Sequence, residues 1–206
     1  MKKQHLIALA ISLTALLGPS AARAVDVFGV ELGKALSVPE CAKSAEFAGI
    51  IYGFQQSTVC WATQNHEGVS ARNELVTTPR DDSVFILFPT RERPAFVIHE
   101  TLKALLIAGN VEEIHFDIDP NHFAAAYEAF VQKFGKPRSR SNSPVRNRLG
   151  VAFDNLRFQW DISGTVVFLE KRSRDIETGY AVIKSAVAVG KDKEAEDAKK
   201  SSERKL

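Results

Sequence analysis

His115, Asp117, Asp119 and His122 are the residues whose types and spacing come nearest to a reaction site. Ile114, Phe116 and Ile118 alternate with His115, Asp117 and Asp119, which places the polar three on one face of a strand. His122 follows within the first turn of the next element. Carboxylate oxygens and imidazole nitrogens converging in this way suit a divalent cation. On that reading His115, Asp117 and His122 are the ligands of a metal-binding protein or a metal-dependent hydrolase. The competing reading makes His115 and Asp117 a solvated strand face and commits Asp119 to capping a helix.

A second constellation is electrostatic. Lys133, Lys136, Arg138, Arg140, Arg146 and Arg148 fall in a stretch with no acidic residue between Glu128 and Asp154. Such a run attracts an anion, whether a lipid phosphate, an anionic glycan or an acidic protein. Lys136, Arg138, Arg140, Arg146 and Arg148, expected on a loop rich in Ser and Pro, are the candidate binding residues. The alternative is a solvated loop without a partner.

Recognisable catalytic sets are missing. His99-Glu100 begins like a zinc-protease helix, but position 103 is Lys where the second His belongs. Ser163-Gly164 lacks the frame of a nucleophile elbow, and the glycines form neither a dinucleotide fingerprint nor a phosphate loop. The expectation is therefore a binding protein with no catalytic residue and no cofactor.

The elements that must position these residues read as α+β: antiparallel sheet, one long helix packed on a face, and a short N-terminal helix. Ser37 and Glu40 have the spacing of a capping box, so a short helix is expected after them, ending near Gly49. Strands are expected over residues 50–54 and 58–63. Val84-Phe85-Ile86-Leu87-Phe88 reads as a strand covered on both faces. Residues 102–107 fit either a helix stopped at Gly109 or the first arm of a hairpin closed by Ala108-Gly109; the hairpin is preferred. Asp119-Pro120 opens the long helix, with Phe123, Tyr127, Phe130 and Phe134 along one stripe and Gly135 as its stop. Strands are expected again within residues 150–160, over 165–169 after the Asp161–Gly164 turn, and over 180–186.

Residues 1–24 have the form of an export signal. Lys2 and Lys3 precede an apolar run from Leu6 to Leu17, and Ala22-Arg23-Ala24 supplies small residues at a peptidase site. The run is short of the ~20 residues a spanning helix needs. Cleavage after Ala24 would leave 182 residues, of which 25–188 read as one domain, or two small lobes, and 189–206 as a charged disordered tail. It would also remove three of the 27 basic residues. The remaining 24 against 25 acidic ones give a net charge of −1, which withdraws the global case for nucleic-acid binding. The expected address is the periplasm or the outside of the cell. There, Cys41 and Cys60 should pair in a structural disulfide worth on the order of 3 kcal/mol. No later segment reaches transmembrane length.

Phe28-Gly29-Val30-Glu31-Leu32-Gly33, Pro39-Glu40-Cys41 and Lys133-Phe134-Gly135-Lys136-Pro137 resemble segments of a group of small exported bacterial proteins to which no activity is attached. The resemblance implies export and a shared scaffold; it transfers no catalytic residue. The helix, its Phe-Gly-x-Pro exit and the following hairpins are also similar to the α+β modules of periplasmic inhibitor and envelope-assembly proteins. That likeness concerns the fold alone. The expected role is an exported binding or accessory protein, inhibitor- or immunity-like, whose partner is a protein or an anionic envelope component. A structural envelope component is the other non-enzymatic possibility.

Overall fold

Alternating apolar residues build most of this protein, because period-two patterns give strands one buried face each. In the computed structural model, residues 25–42, 53–63, 82–173 and 176–203 are described. Residues 1–24, read above as an export signal, lie outside them. A two-stranded hairpin, β1 (Asp26–Val27) and β2 (Val30–Glu31), comes first. Then follow β3 (Cys60–Ala62), β4 (Asp82–Leu87), β5 (Thr101–Ile107) and β6 (Asn110–Ile118). Helix α1 (Phe123–Phe134) separates these from β7 (Ser139–Asn142), β8 (Val145–Arg146), β9 (Ala152–Phe153) and β10 (Leu156–Ile162). The chain closes with β11 (Thr165–Glu170), β12 (Gly179–Lys184) and α2 (Ala186–Glu203). Eight strands form one antiparallel sheet in the order β3-β4-β5-β6-β12-β11-β10-β7.

The α+β expectation holds in this form. The hairpin reading of residues 102–118 holds too: Ala108 (φ 50°) and Gly109 (φ 81°) both take left-handed backbone in the two-residue turn joining β5 to β6. That is the primed turn whose twist matches the strands. One sheet face carries Ile86, Ile114, Phe116, Leu169, Phe158 and Trp160, all buried, and α1 lays Phe123, Ala126 and Phe130 across it. The β1–β2 hairpin adds Phe28 to this core. Its ring stacks on Phe88 at 5.3 Å and meets Phe116 edge-on at 5.8 Å, contacts that hold a bulky residue at φ 52°.

Helix α1 starts and stops where its sequence directs. The Asp119 carboxylate accepts the Asn121 N–H at 2.8 Å and opens a 3-10 turn over Pro120–His122, which runs into α1. At the other end Gly135 sits at φ 76° and donates its N–H to the Val131 carbonyl at 2.8 Å.

Four expectations are corrected. No helix begins at Ser37: Glu40 forms a parallel bridge to Trp61, and Pro39 and Cys41 exchange 2.8 Å hydrogen bonds with the Trp61 backbone. Sheet pairing outcompetes the local cap there, and residues 43–49 lie outside the described ones. Gly53–Gln55 is a 3-10 turn where a strand end was expected; residues 50–52 again lie outside. The stretch after α1 is a long two-stranded arm instead of an irregular loop, with β7 and β8 paired to β10 and β9 and a break at Ser143-Pro144. The tail expected to be disordered is helical from Ala186 through Glu203. Ser185 caps it, accepting from the Ala188 N–H at 3.2 Å and donating to the buried Glu112 carboxylate. The Glu196–Lys200 pair, one turn apart, supports its exposed part.

Cys41 and Cys60 are disulfide-bonded, 4.9 Å apart at Cα. The bridge clamps the Pro39–Cys41 segment onto β3, beside a second, smaller cluster containing Ala62, Phe85 and Leu87. Among the described residues, no helix is long and apolar enough to cross a membrane.

Candidate functional site

The predicted metal set separates into two pairs. His115 and Asp117 project from the sheet face opposite α1, where His115 lies edge-on to Tyr180 at 5.7 Å and Asp117 faces His99 at 3.9 Å. At Asp119 the chain leaves the sheet, and His122 Nδ1 sits 2.9 Å from the Asp119 carboxylate. Strand alternation brought His115 and Asp117 together; the turn at Asp119 took His122 elsewhere. Among the described residues, no group of three His, Cys, Asp or Glu side chains is placed to hold a metal ion.

Asp119 and His122 instead form the start of α1. The Asn121 backbone N–H, then the His122 ring, hold the Asp119 carboxyl below its ordinary value of 3.8. A carboxyl lowered on folding stabilises the native state above its unfolded value and loses that contribution as pH falls through the folded value. Asp119→Ala should therefore cost about 1 kcal/mol in urea unfolding at neutral pH. The gap between variant and parent should narrow as pH drops below 3.8.

The basic residues fare differently. Lys136, Arg138 and Arg140 line a groove of about 740 Å³ between the start of α1 and the β7–β10 edge. Pro120, Phe123 and Tyr127 form its helix wall, and Leu156 and Phe158 its floor. Phe158 is held by Tyr127, with ring centroids 4.4 Å apart, and the Arg140 guanidinium lies 5.8 Å from the Phe158 ring centre. Arg138 pairs with Asp161 yet remains largely exposed. Lys171, just after β11, adds a fourth cation. The sequence reading missed Lys171 and the aromatic floor, since neither is near the basic run along the chain; only the register of β10 and β11 brings them in.

Arg146 and Arg148 do not line the groove. They sit on the tip of the arm, where Asn147 fixes the turn: its Oδ1 accepts from Leu149 and Val151 N–H at 3.0 and 2.9 Å. Arg146 donates to the Gly150 carbonyl at 2.7 Å. Lys133 points away from the groove, toward Asp26 at 3.9 Å, beside a small apolar cavity under Phe28.

The size of the groove suits a small ligand or a short peptide segment, and its chemistry suits an apolar body with negative charge at its edge. No protein family matches the chain, and neither does any curated protein or solved structure.

Proposed function

We propose that this is an exported, non-enzymatic binding protein that captures an acidic segment of a partner protein in the groove between α1 and β7. Export rests on the form of residues 1–24, with cleavage after Ala24, and the Cys41–Cys60 bridge suits an oxidising compartment. The observation that carries the binding role is the rim of four cations, Lys136, Arg138, Arg140 and Lys171, around the Tyr127–Phe158 ring pair. Among the described residues, only Arg138 of these four has a carboxylate partner, Asp161. The excess positive charge is local, against a chain that is near neutral without its first 24 residues. An inhibitor- or immunity-like role, or service as an envelope accessory, follows from such capture.

Fluorescence anisotropy with labelled poly-glutamate tests this. Binding should weaken about 100-fold in the triple variant Lys136→Glu, Arg138→Glu, Arg140→Glu, and should fall steeply with added salt. Arg146→Glu with Arg148→Glu, on the arm's tip, should change it little. Equal binding by the triple variant, or none by the parent, would sink the reading. A pull-down from envelope extract with the same variants then identifies the partner.

A further inference from the structure

We infer that β7 is an open sheet edge that receives an extended acidic peptide from the partner protein as a ninth strand. The inference rests on the acidic-partner reading and adds the mode of capture. β7 pairs with β10 on one side, and among the described residues no strand pairs with its other side. All four of its residues, Ser139 to Asn142, are exposed. An edge strand of this kind presents backbone donors and acceptors ready to bond a further chain.

The sheet treats its two edges differently. At β3 the outer backbone groups of Trp61 are taken by Pro39 and Cys41, and the disulfide holds that cover in place. Among the described residues, β7 has no equivalent cover. What flanks it is charge: Arg140 stands opposite Phe158 on the α1 side, whereas Ser139 and Ser141 fall on the other side. An incoming strand would therefore set alternate side chains against Arg140 and the groove, and the rest against two serines. Acidic residues fit the first set, and small or β-branched ones the second.

A second copy of this chain fits poorly, because pairing β7 with β7 would bring like guanidinium groups together. Edge arginines also deter unwanted pairing in general. Here, however, Arg140 is set over the Phe158 ring at the lip of the groove, where an acidic peptide side chain would find it together with Lys171.

The experiment uses the purified protein and a labelled octapeptide of alternating Asp and Val. Two further versions carry N-methyl groups at alternate residues, one for each backbone edge of the peptide. The parent peptide should bind and slow amide exchange at residues 139–142. One N-methylated version should bind about tenfold or more weakly, since its blocked N–H groups are those that face β7. Arg140→Glu should weaken the parent peptide about tenfold, with an unchanged circular dichroism spectrum as the check on folding. If both N-methylated peptides bind like the parent, or residues 139–142 exchange as before, strand addition is wrong while capture in the groove stands. If neither this peptide nor poly-glutamate binds, both readings fall. A dimer in sedimentation, with residues 139–142 already protected in the free protein, would make the occupant a second copy and overturn the inference.

Discussion

Trp160→Ala should lower the unfolding free energy by about 3–5 kcal/mol in urea denaturation, the largest loss expected from a single substitution here. Trp160 is 1% exposed and lies among Phe130, Phe134 and Phe158, with ring centroids 5.7, 6.4 and 6.2 Å away. Truncation would leave a cavity under α1 that rigid β10 cannot close by collapse. The indole does a second thing: its N–H donates to the Gly135 carbonyl at 2.8 Å. That carbonyl belongs to the cap of α1, immediately before Lys136. Trp160→Phe keeps much of the packing and loses the hydrogen bond, so about 1–2 kcal/mol is expected. Under conditions where Trp160→Phe is fully folded, poly-glutamate should still bind more weakly than to the parent, because the Lys136–Arg140 wall has lost its anchor. A Trp160→Ala loss below about 1 kcal/mol would show that the core beneath α1 is looser than its geometry implies.

Glu170→Ala comes next, with an expected loss of about 2–4 kcal/mol at neutral pH. The carboxylate is buried at the end of β11 and accepts from Asn155 Nδ2 at 2.7 Å and from Arg157 Nε at 2.8 Å. Arg157 also reaches the Tyr180 hydroxyl at 3.3 Å. Burial alone would raise the Glu170 pKa. Hydrogen bonds from Tyr180, Asn155 and Arg157, with the Arg157 charge, more than offset this and leave it below its ordinary value of 4.5. The contribution is thus complete above about pH 4.5 and fades as pH falls through the folded value. The difference between Glu170→Ala and parent should therefore shrink on acidification. A difference independent of pH would assign the effect to packing and not to the ionised network. Tyr180 moves the other way: burial first, then the neighbouring carboxylate, push its phenol above 10.0.

Much of the fold was legible in local chemistry. Asp119-Pro120 at the start of α1, Gly135 at its end and Ala108-Gly109 between β5 and β6 act through the backbone of their own neighbours, so sequence suffices to read them. Alternation likewise assigned the faces of β6. The failures share one cause, competition from residues distant in the chain. Glu40 lost its capping role because Trp61 offered sheet bonds. Residues 189–206 read as a charged disordered tail, yet α2 forms on a cap whose serine is held by Glu112 from β6. Gly179, just before the strand expected over 180–186, opens β12, where a Cβ would come within 2.5 Å of the Glu170 and Lys171 carbonyls.

The same division applies to the site. By itself the sequence determined the supply of charge: six cations in the acid-free stretch between Glu128 and Asp154, and a disulfide-capable pair in a chain whose first 24 residues have the form of an export signal. Charge and hydropathy are properties of residues and survive any folding. Only the tertiary structure decided which cations act together. Strand register places Arg140 over Phe158, brings in Lys171 from just after β11, and carries Arg146 and Arg148 off to the arm's tip. It separates His122 from His115 and Asp117 for the same reason: a shared site depends on where the chain turns, and a turn re-aims every side chain beyond it.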